Sequence, residues 1–175
     1  MKNLLLLVTL LLTLSSCDKE NDKPKSELEK LPPATQIGAN KIGCLLDGKA
    51  FLPGNSPNSK ECVYQFVNGG YNFSLQANNN ENDGVLIGLS SNSKEITQNG
   101  IYRLTSNIPT NAYGSFALGG VFSTTDGNIY TGELKITKLD ITNHIISGTF
   151  WFDVLDFQGN NHQITDGRFD MQYTN

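Results

Sequence analysis

From Gln36 onward the chain alternates between short apolar runs and polar punctuation, and no long window carries the three-to-four-residue apolar spacing of an amphipathic helix. The runs CVYQFV, YNFSLQA, VLIGLSS, GIYRLTS, YGSFALGGVF, IYTGELKIT, IISGTFWFDVL and GRFDMQY are rich in β-branched and aromatic residues. Such residues fit a pleated, half-buried surface, so each run predicts a strand. Between them lie Asp47-Gly48, Asn68-Gly69, Asp83-Gly84, Asn99-Gly100, Asp126-Gly127 and Gly159-Asn160. These dipeptides tolerate positive φ and therefore predict tight hairpin turns.

Many short strands at hairpin spacing predict an all-β domain over residues 36–175, first an antiparallel β-sandwich, with a lipocalin-like β-barrel as the alternative. Alternation is sharpest near the end. Ile146, Phe150, Phe152 and Val154 share one face of a strand, while Ser147, Thr149, Trp151 and Asp153 share the other. In the last strand Ile164 differs in parity from Phe169, Met171 and Tyr173. A one-residue bulge at Asp166-Gly167 would return all four to a single buried face.

The N-terminal region has a different pattern. Residues 4–14 form an apolar run of eleven residues behind Lys2, too short to span roughly 30 Å of hydrocarbon, and it reads as a signal peptide over residues 1–16. Leu14-Ser15-Ser16-Cys17 resembles the lipobox of bacterial lipoproteins, so Cys17 is expected to carry the acyl chains that tether the protein to a membrane. One acyl chain holds a protein marginally and two hold it stably, at about 0.8 kcal/mol per buried methylene. Residues 17–35 mix charges of both signs with three prolines, a composition that predicts a flexible spacer. Asp18, Glu20 and Asp22 directly behind the cysteine resemble the export signal of surface-exposed Bacteroidetes lipoproteins, which implies the outer membrane and its cell-surface side, with an ordinary linker facing the periplasm as the competing reading.

Charge and cysteine content narrow the partners. Removal of residues 1–16 leaves 12 basic against 17 acidic side chains, a formal charge of −5 with the basic residues scattered singly. That balance disfavours nucleic acid as a partner. With Cys17 acylated, Cys44 and Cys62 form an even pair in an oxidising compartment, and a Cys44–Cys62 disulfide is expected to staple the Pro- and Gly-rich segment between them.

The block LPPATQIGANKIGCLLDGKAFLP, with ISGTFWFDV and ITDGRFDMQY, resembles an uncharacterised family of Bacteroidetes envelope lipoproteins described as a domain of unknown function. The resemblance covers nearly all of the chain behind the lipobox. It implies an envelope lipoprotein with a β domain and supplies no catalytic residues.

Candidate chemistry is sparse. The two imidazoles, His144 and His162, fall at a turn and a strand start and are expected to be exposed loop residues, so no nucleophile and base are brought together by sequence. Asp153, Asp156, Asp166 and Asp170 could supply the two carboxylates of a glycosidase-like cleft, against which stands the frequency of acids at strand ends. Asn79, Glu81 and Asp83 before Gly84 mimic the start of a calcium loop, yet the twelfth position is Ser90 and no bidentate carboxylate closes the set. Arg168 between Asp166 and Asp170 predicts a local ion pair. Trp151, the single tryptophan, lies in the polar phase of its strand with Thr149 and Asp153, where a flat indole could stack on a sugar or meet another envelope protein, or be covered and serve as core. The expectation is a lipid-anchored module without enzymatic activity or cofactor, acting by binding. A structural or assembly lipoprotein and a barrel holding a small apolar ligand are the alternatives.

Overall fold

A computed structural model of the chain describes residues 24–80, 84–128 and 131–175. The lipobox, Cys17 and the acidic cluster Asp18, Glu20 and Asp22 lie outside the described residues, as do Glu81 and Asp83. A 3-10 turn over Leu28–Lys30 precedes eleven strands: β1 (Lys41–Leu46), β2 (Lys49–Phe51), β3 (Lys60–Val67), β4 (Gly70–Asn79), β5 (Val85–Ser91), β6 (Ile101–Leu104), β7 (Ala112–Leu118), β8 (Val121–Thr124), β9 (Gly132–Asp140), β10 (Ile145–Leu155) and β11 (Asn161–Gln172).

The architecture is all-β, as the alternation predicts, and its strands belong to one open eleven-stranded sheet that does not close into a barrel. The order is β2-β1-β11-β10-β9-β6-β7-β5-β4-β3, with β8 paired to β7. Named strands pair antiparallel except at the Leu104–Ala112 contact of β6 with β7. The sheet folds over so that its apolar face meets itself. Phe73 of β4 stacks on Phe169 of β11 with ring centroids 6.2 Å apart, and a Cβ on Gly114 of β7 would lie 2.8 Å from Cγ of Phe152 on β10. The edge strand β3 touches the segment just after β11 at the isolated bridge Val63–Thr174, where Tyr64 N donates to Thr174 O at 2.9 Å and Thr174 N to Cys62 O at 3.0 Å.

Turn chemistry sets the register. Asp47 and Gly48 take φ of 50° and 78°, and Asn68 and Gly69 take 53° and 81°, each pair forming a two-residue hairpin. The run YGSFALGGVF, expected as one strand, is broken into β7 and β8 by Gly119 and Gly120 at φ 57° and 82°. The bulge near Asp166 is present: β10 residues Phe150 and Phe152 face Gly167 and Ile164, so two β11 residues oppose Trp151 alone. Ile164, Phe169, Met171 and Tyr173 are then all buried, as are Ile146, Phe150, Phe152 and Val154.

Two expectations are corrected here. Cys44 and Cys62 are free thiols, both buried. They sit on β1 and β3, which no ladder joins; Cys44 pairs across to Phe51 and Cys62 to Leu75, and burial pushes both thiols far above their ordinary pKa. The segment expected to need a disulfide is held by hydrogen bonds. Asn78 N donates to Ser59 O at 2.7 Å, Gly54 N to Asn78 O at 2.9 Å, Asn78 Nδ2 to Asn58 O at 2.9 Å and Asn79 Nδ2 to Leu52 O at 3.0 Å.

The second correction concerns the spacer. Its described part packs on the domain: Leu31 is buried, Glu27 accepts from Ala50 N at 2.8 Å, and residues 31–40 cross the outer face of the sheet as a strap. Gly43 of β1 is small because a Cβ there would meet Pro32 at 2.8 Å and Leu52 at 2.9 Å.

Candidate functional site

The strap and the outer face of β9, β10 and β11 together form the most distinctive feature of the surface. Residues directly opposite in an antiparallel pair share a face. On β10, Trp151 is opposite Glu133 and Thr149 is opposite Lys135 of β9, while Arg168 of β11 is opposite Thr149. Arg103 and Ile101 of β6 extend the two rows past Glu133 and Lys135. Trp151 is 44% exposed, because Phe150 and Phe152 on either side of it take the buried phase. Glu133, Thr149, Trp151, Asp166 and Arg168 line a groove of about 420 Å³, with Ala34 of the strap at its rim.

The bulge shapes this groove. Asp166 takes φ 53°, and Gly167 behind it lies so close to Phe150 that a Cβ would approach its ring within 2.6 Å. The β11 backbone therefore bends over the phenyl ring and delivers Asp166 and Arg168 to the side of Trp151.

Arg168 is not part of the expected ion pair. Its Nε donates to the Asp166 carbonyl at 3.3 Å, and it makes no salt bridge among the described residues. The reason is that Asp170 is taken. Asp170 is 1% exposed and accepts from Thr35 Oγ1 at 2.6 Å, Ile37 N at 3.0 Å, Gly38 N at 2.8 Å, Ala39 N at 3.1 Å and Ser147 Oγ at 2.8 Å. Burial alone would raise its pKa, but these donors outweigh burial and hold the carboxyl at about 2. Asp170 is the clasp that fixes the strap beside the groove.

The other candidates are dispersed. Asp153 shares the face of Trp151 but does not line the groove. His144 is exposed at the β9–β10 turn with φ 53°, as expected. His162, expected to be exposed, is instead half-buried, stacked on Phe116 at 4.5 Å, with Nδ1 2.7 Å from Asp47 Oδ2 and Nε2 3.3 Å from Asp156 Oδ2. Asp156 also accepts from Gln158 N, Asn160 N and Asn160 Nδ2 at 2.8, 2.8 and 3.0 Å; this turn lowers its pKa to about 2. Of the four aspartates weighed as a catalytic pair, only Asp166 reaches the groove, where Glu133 joins it. Of the calcium candidates, Asn79 donates to Leu52, and no metal-binding cluster occurs among the described residues.

Glu133 was missed by sequence reading. The alternation in GELKIT would have placed Glu133 and Lys135 on the polar face, but which strand lies beside β10 is a topological fact. A further groove of about 380 Å³, on the core-facing side of β3 and β4 where the core opens to solvent, was also missed; exposed Phe66 and Tyr71 border it with Tyr64 and Tyr173.

The groove thus sets one flat apolar ring among a guanidinium, two carboxylates and a hydroxyl. Such a set suits recognition of a hydroxyl-rich ligand, stacking on one face and hydrogen-bonding at its edges. No imidazole or thiol lines it among the described residues. Comparison with models of known protein families, with curated proteins and with solved structures finds no match to the chain.

Proposed function

We propose that the protein is a lipid-anchored cell-envelope binding module without enzymatic activity, and that the Trp151 groove is its glycan-binding site. The observation that carries the reading is the half-exposed indole among polar side chains that make no salt bridge among the described residues, on a strand whose opposite face is core. What supports a partner is the setting and not the exposure alone: the flat face of the indole stands in a formed groove beside charged and hydroxyl groups, the combination that a hydroxyl-rich ligand needs. The apolar-ligand alternative is less well supported, because phenyl rings meet inside the fold: Phe73, Phe150 and Phe152 have centroids within 6.2 to 6.4 Å of a neighbouring phenyl ring. Anchoring rests on Leu14-Ser15-Ser16-Cys17. Surface display rests on the acids that follow it.

Trp151 is the sole tryptophan, so its emission reports on the groove directly. Titration with soluble neutral oligosaccharides from bacterial and host surfaces is expected to shift that emission saturably for at least one class. Trp151→Ala should abolish retention of that glycan on an array, and Arg168→Gln should weaken it by about tenfold, the loss of a charge-assisted hydrogen bond. If no glycan shifts the emission, or Trp151→Ala binds as the wild type does, the reading fails. Cys17→Ser should release the protein from the membrane fraction; an intact mass without acyl groups would remove the anchor.

A further inference from the structure

The strap has a second side. The residues on either side of Ala34 wall a separate pocket of about 410 Å³, which Lys30, Lys41 and Lys60 line with the carboxamide residues Asn40 and Asn55; the Asn40 amide oxygen accepts from Gln172 N at 2.9 Å. Among the described residues no Asp or Glu lines it, although the chain as a whole carries a formal charge of −4. Lysines 11 and 19 residues apart in sequence are gathered because β1 starts beneath the strap and β3 starts at the end of the pinned loop.

The nearby acids are engaged elsewhere. Glu27 pairs with Lys30 and accepts from Ala50 N at 2.8 Å. Glu29 accepts from Ser26 N and Oγ, both at 2.8 Å, and Glu61 accepts from Gln76 Nε2 at 2.9 Å. Lys41 and Lys60 make no ion pair among the described residues. Among the described residues two of the three lysines that line the cavity therefore have no counter-charge, and the third is only partly compensated.

The walls are preformed. On one side the strap is clasped to Asp170, and on the other the loop is tied down by Gly54 N to Asn78 O at 2.9 Å and Asn79 Nδ2 to Leu52 O at 3.0 Å. Pro32 and Pro53 stiffen both sides. A braced cavity lined by three lysines and, among the described residues, by no acid matches a compact anion, for which ammonium groups act as point charges.

We propose that this pocket binds a phosphate monoester, carried either by a free phosphorylated solute or by a lipid headgroup. The proposal is independent of the glycan reading of the Trp151 groove. Lys41 and Lys60 supply the charge, Asn40 and Asn55 the neutral hydrogen bonds, and the proline walls keep the site from collapsing between occupancies.

The test uses the full chain carrying Cys17→Ser, so that no acyl group contributes to membrane binding. Inorganic phosphate titrated at constant ionic strength against chloride is expected to give saturable amide shifts confined to residues 30–33, 40–42 and 52–60. Lys41→Gln with Lys60→Gln should weaken the response by about tenfold or more, while Lys94→Gln with Lys138→Gln, which removes the same charge elsewhere, should leave it unchanged. Flotation with phosphatidylcholine vesicles, with and without phosphatidic acid, separates the sources. Enrichment on phosphatidic acid that requires Lys41 and Lys60 identifies a headgroup, and phosphate-specific shifts without enrichment identify a free solute. No saturable phosphate response together with no vesicle preference overturns the proposal. A response equal in the double variant and the wild type overturns it as well.

Discussion

Replacing Asp170 with Asn tests whether the strap is held by charge or merely rests on the sheet. The side chain is 1% exposed and accepts the five hydrogen bonds from Thr35, Ile37, Gly38, Ala39 and Ser147. Its folded pKa of about 2 lies below the ordinary value of 3.8, a difference worth about 2 kcal/mol at 1.36 kcal/mol for each pH unit. Asparagine keeps one acceptor and turns an amide donor either toward Ile37 N and Ala39 N, which share one carboxylate oxygen, or toward Gly38 N, which uses the other, so roughly 1 kcal/mol more should be lost. The expected deficit is about 3 kcal/mol at pH 7, or on the order of 10 °C in Tm. Because the folded pKa is depressed, the stabilisation is complete above about pH 4 and is lost as pH falls through about 2. Urea unfolding of both proteins at pH 7 and near pH 2.5 should therefore show a large gap that narrows in acid, and amide exchange at Ile37, Gly38 and Ala39 should accelerate in the variant. A deficit below about 0.5 kcal/mol at pH 7, or a gap that does not change with pH, would refute the reasoning.

His162 gives the opposite pH dependence. Burial lowers its pKa, but Asp47 and Asp156 outweigh burial and raise it, so the stabilisation is full below about pH 6.5 and is lost as pH rises through the folded value. The stability advantage of wild type over His162→Gln should shrink on going from pH 6 to pH 9, and an advantage constant over that range would remove the carboxylate–imidazole account. Cys44 and Cys62 should be silent to a thiol reagent in native Cys17→Ser protein and titrate as two thiols in denaturant; a mass 2 Da lower before reduction than after it would show a disulfide instead. Gly43→Ala should cost about 1 to 3 kcal/mol by forcing the strap off β1, and a neutral result would mean that Pro32 yields freely.

What could be read from the chain follows from the range of each signal. Local signals were legible: the hairpins at Asp47-Gly48 and Asn68-Gly69, the bulge near Asp166, and the two faces of β10 all depend on neighbours within a few residues. Gly119-Gly120 carried the same kind of signal and was overlooked inside an apolar run. The strap was illegible because its composition resembles that of a spacer, and its order comes from one carboxylate over 130 residues away in the chain. For the same reason His162 looked exposed: the Asp47 that holds it belongs to the first hairpin. Trp151 was placed on the correct face by alternation alone. Whether that face was covered depended on where the strap runs, and of the strap only Ala34 reaches the groove.

The clasp at Asp170 also decides how the domain responds to force. A load delivered from the N-terminal side reaches Glu27 and Leu31 first, then the bonds gathered on one carboxylate, and only afterwards the ladder between β1 and β11. The strap is therefore a shock absorber in series with the core, yielding about ten residues of slack, or roughly 35 Å, before any strand is stripped. Its release would carry Ala34 off the rim of the Trp151 groove and Pro32 off the lysine pocket. Both sites would then report tension while the sheet beneath them stays intact.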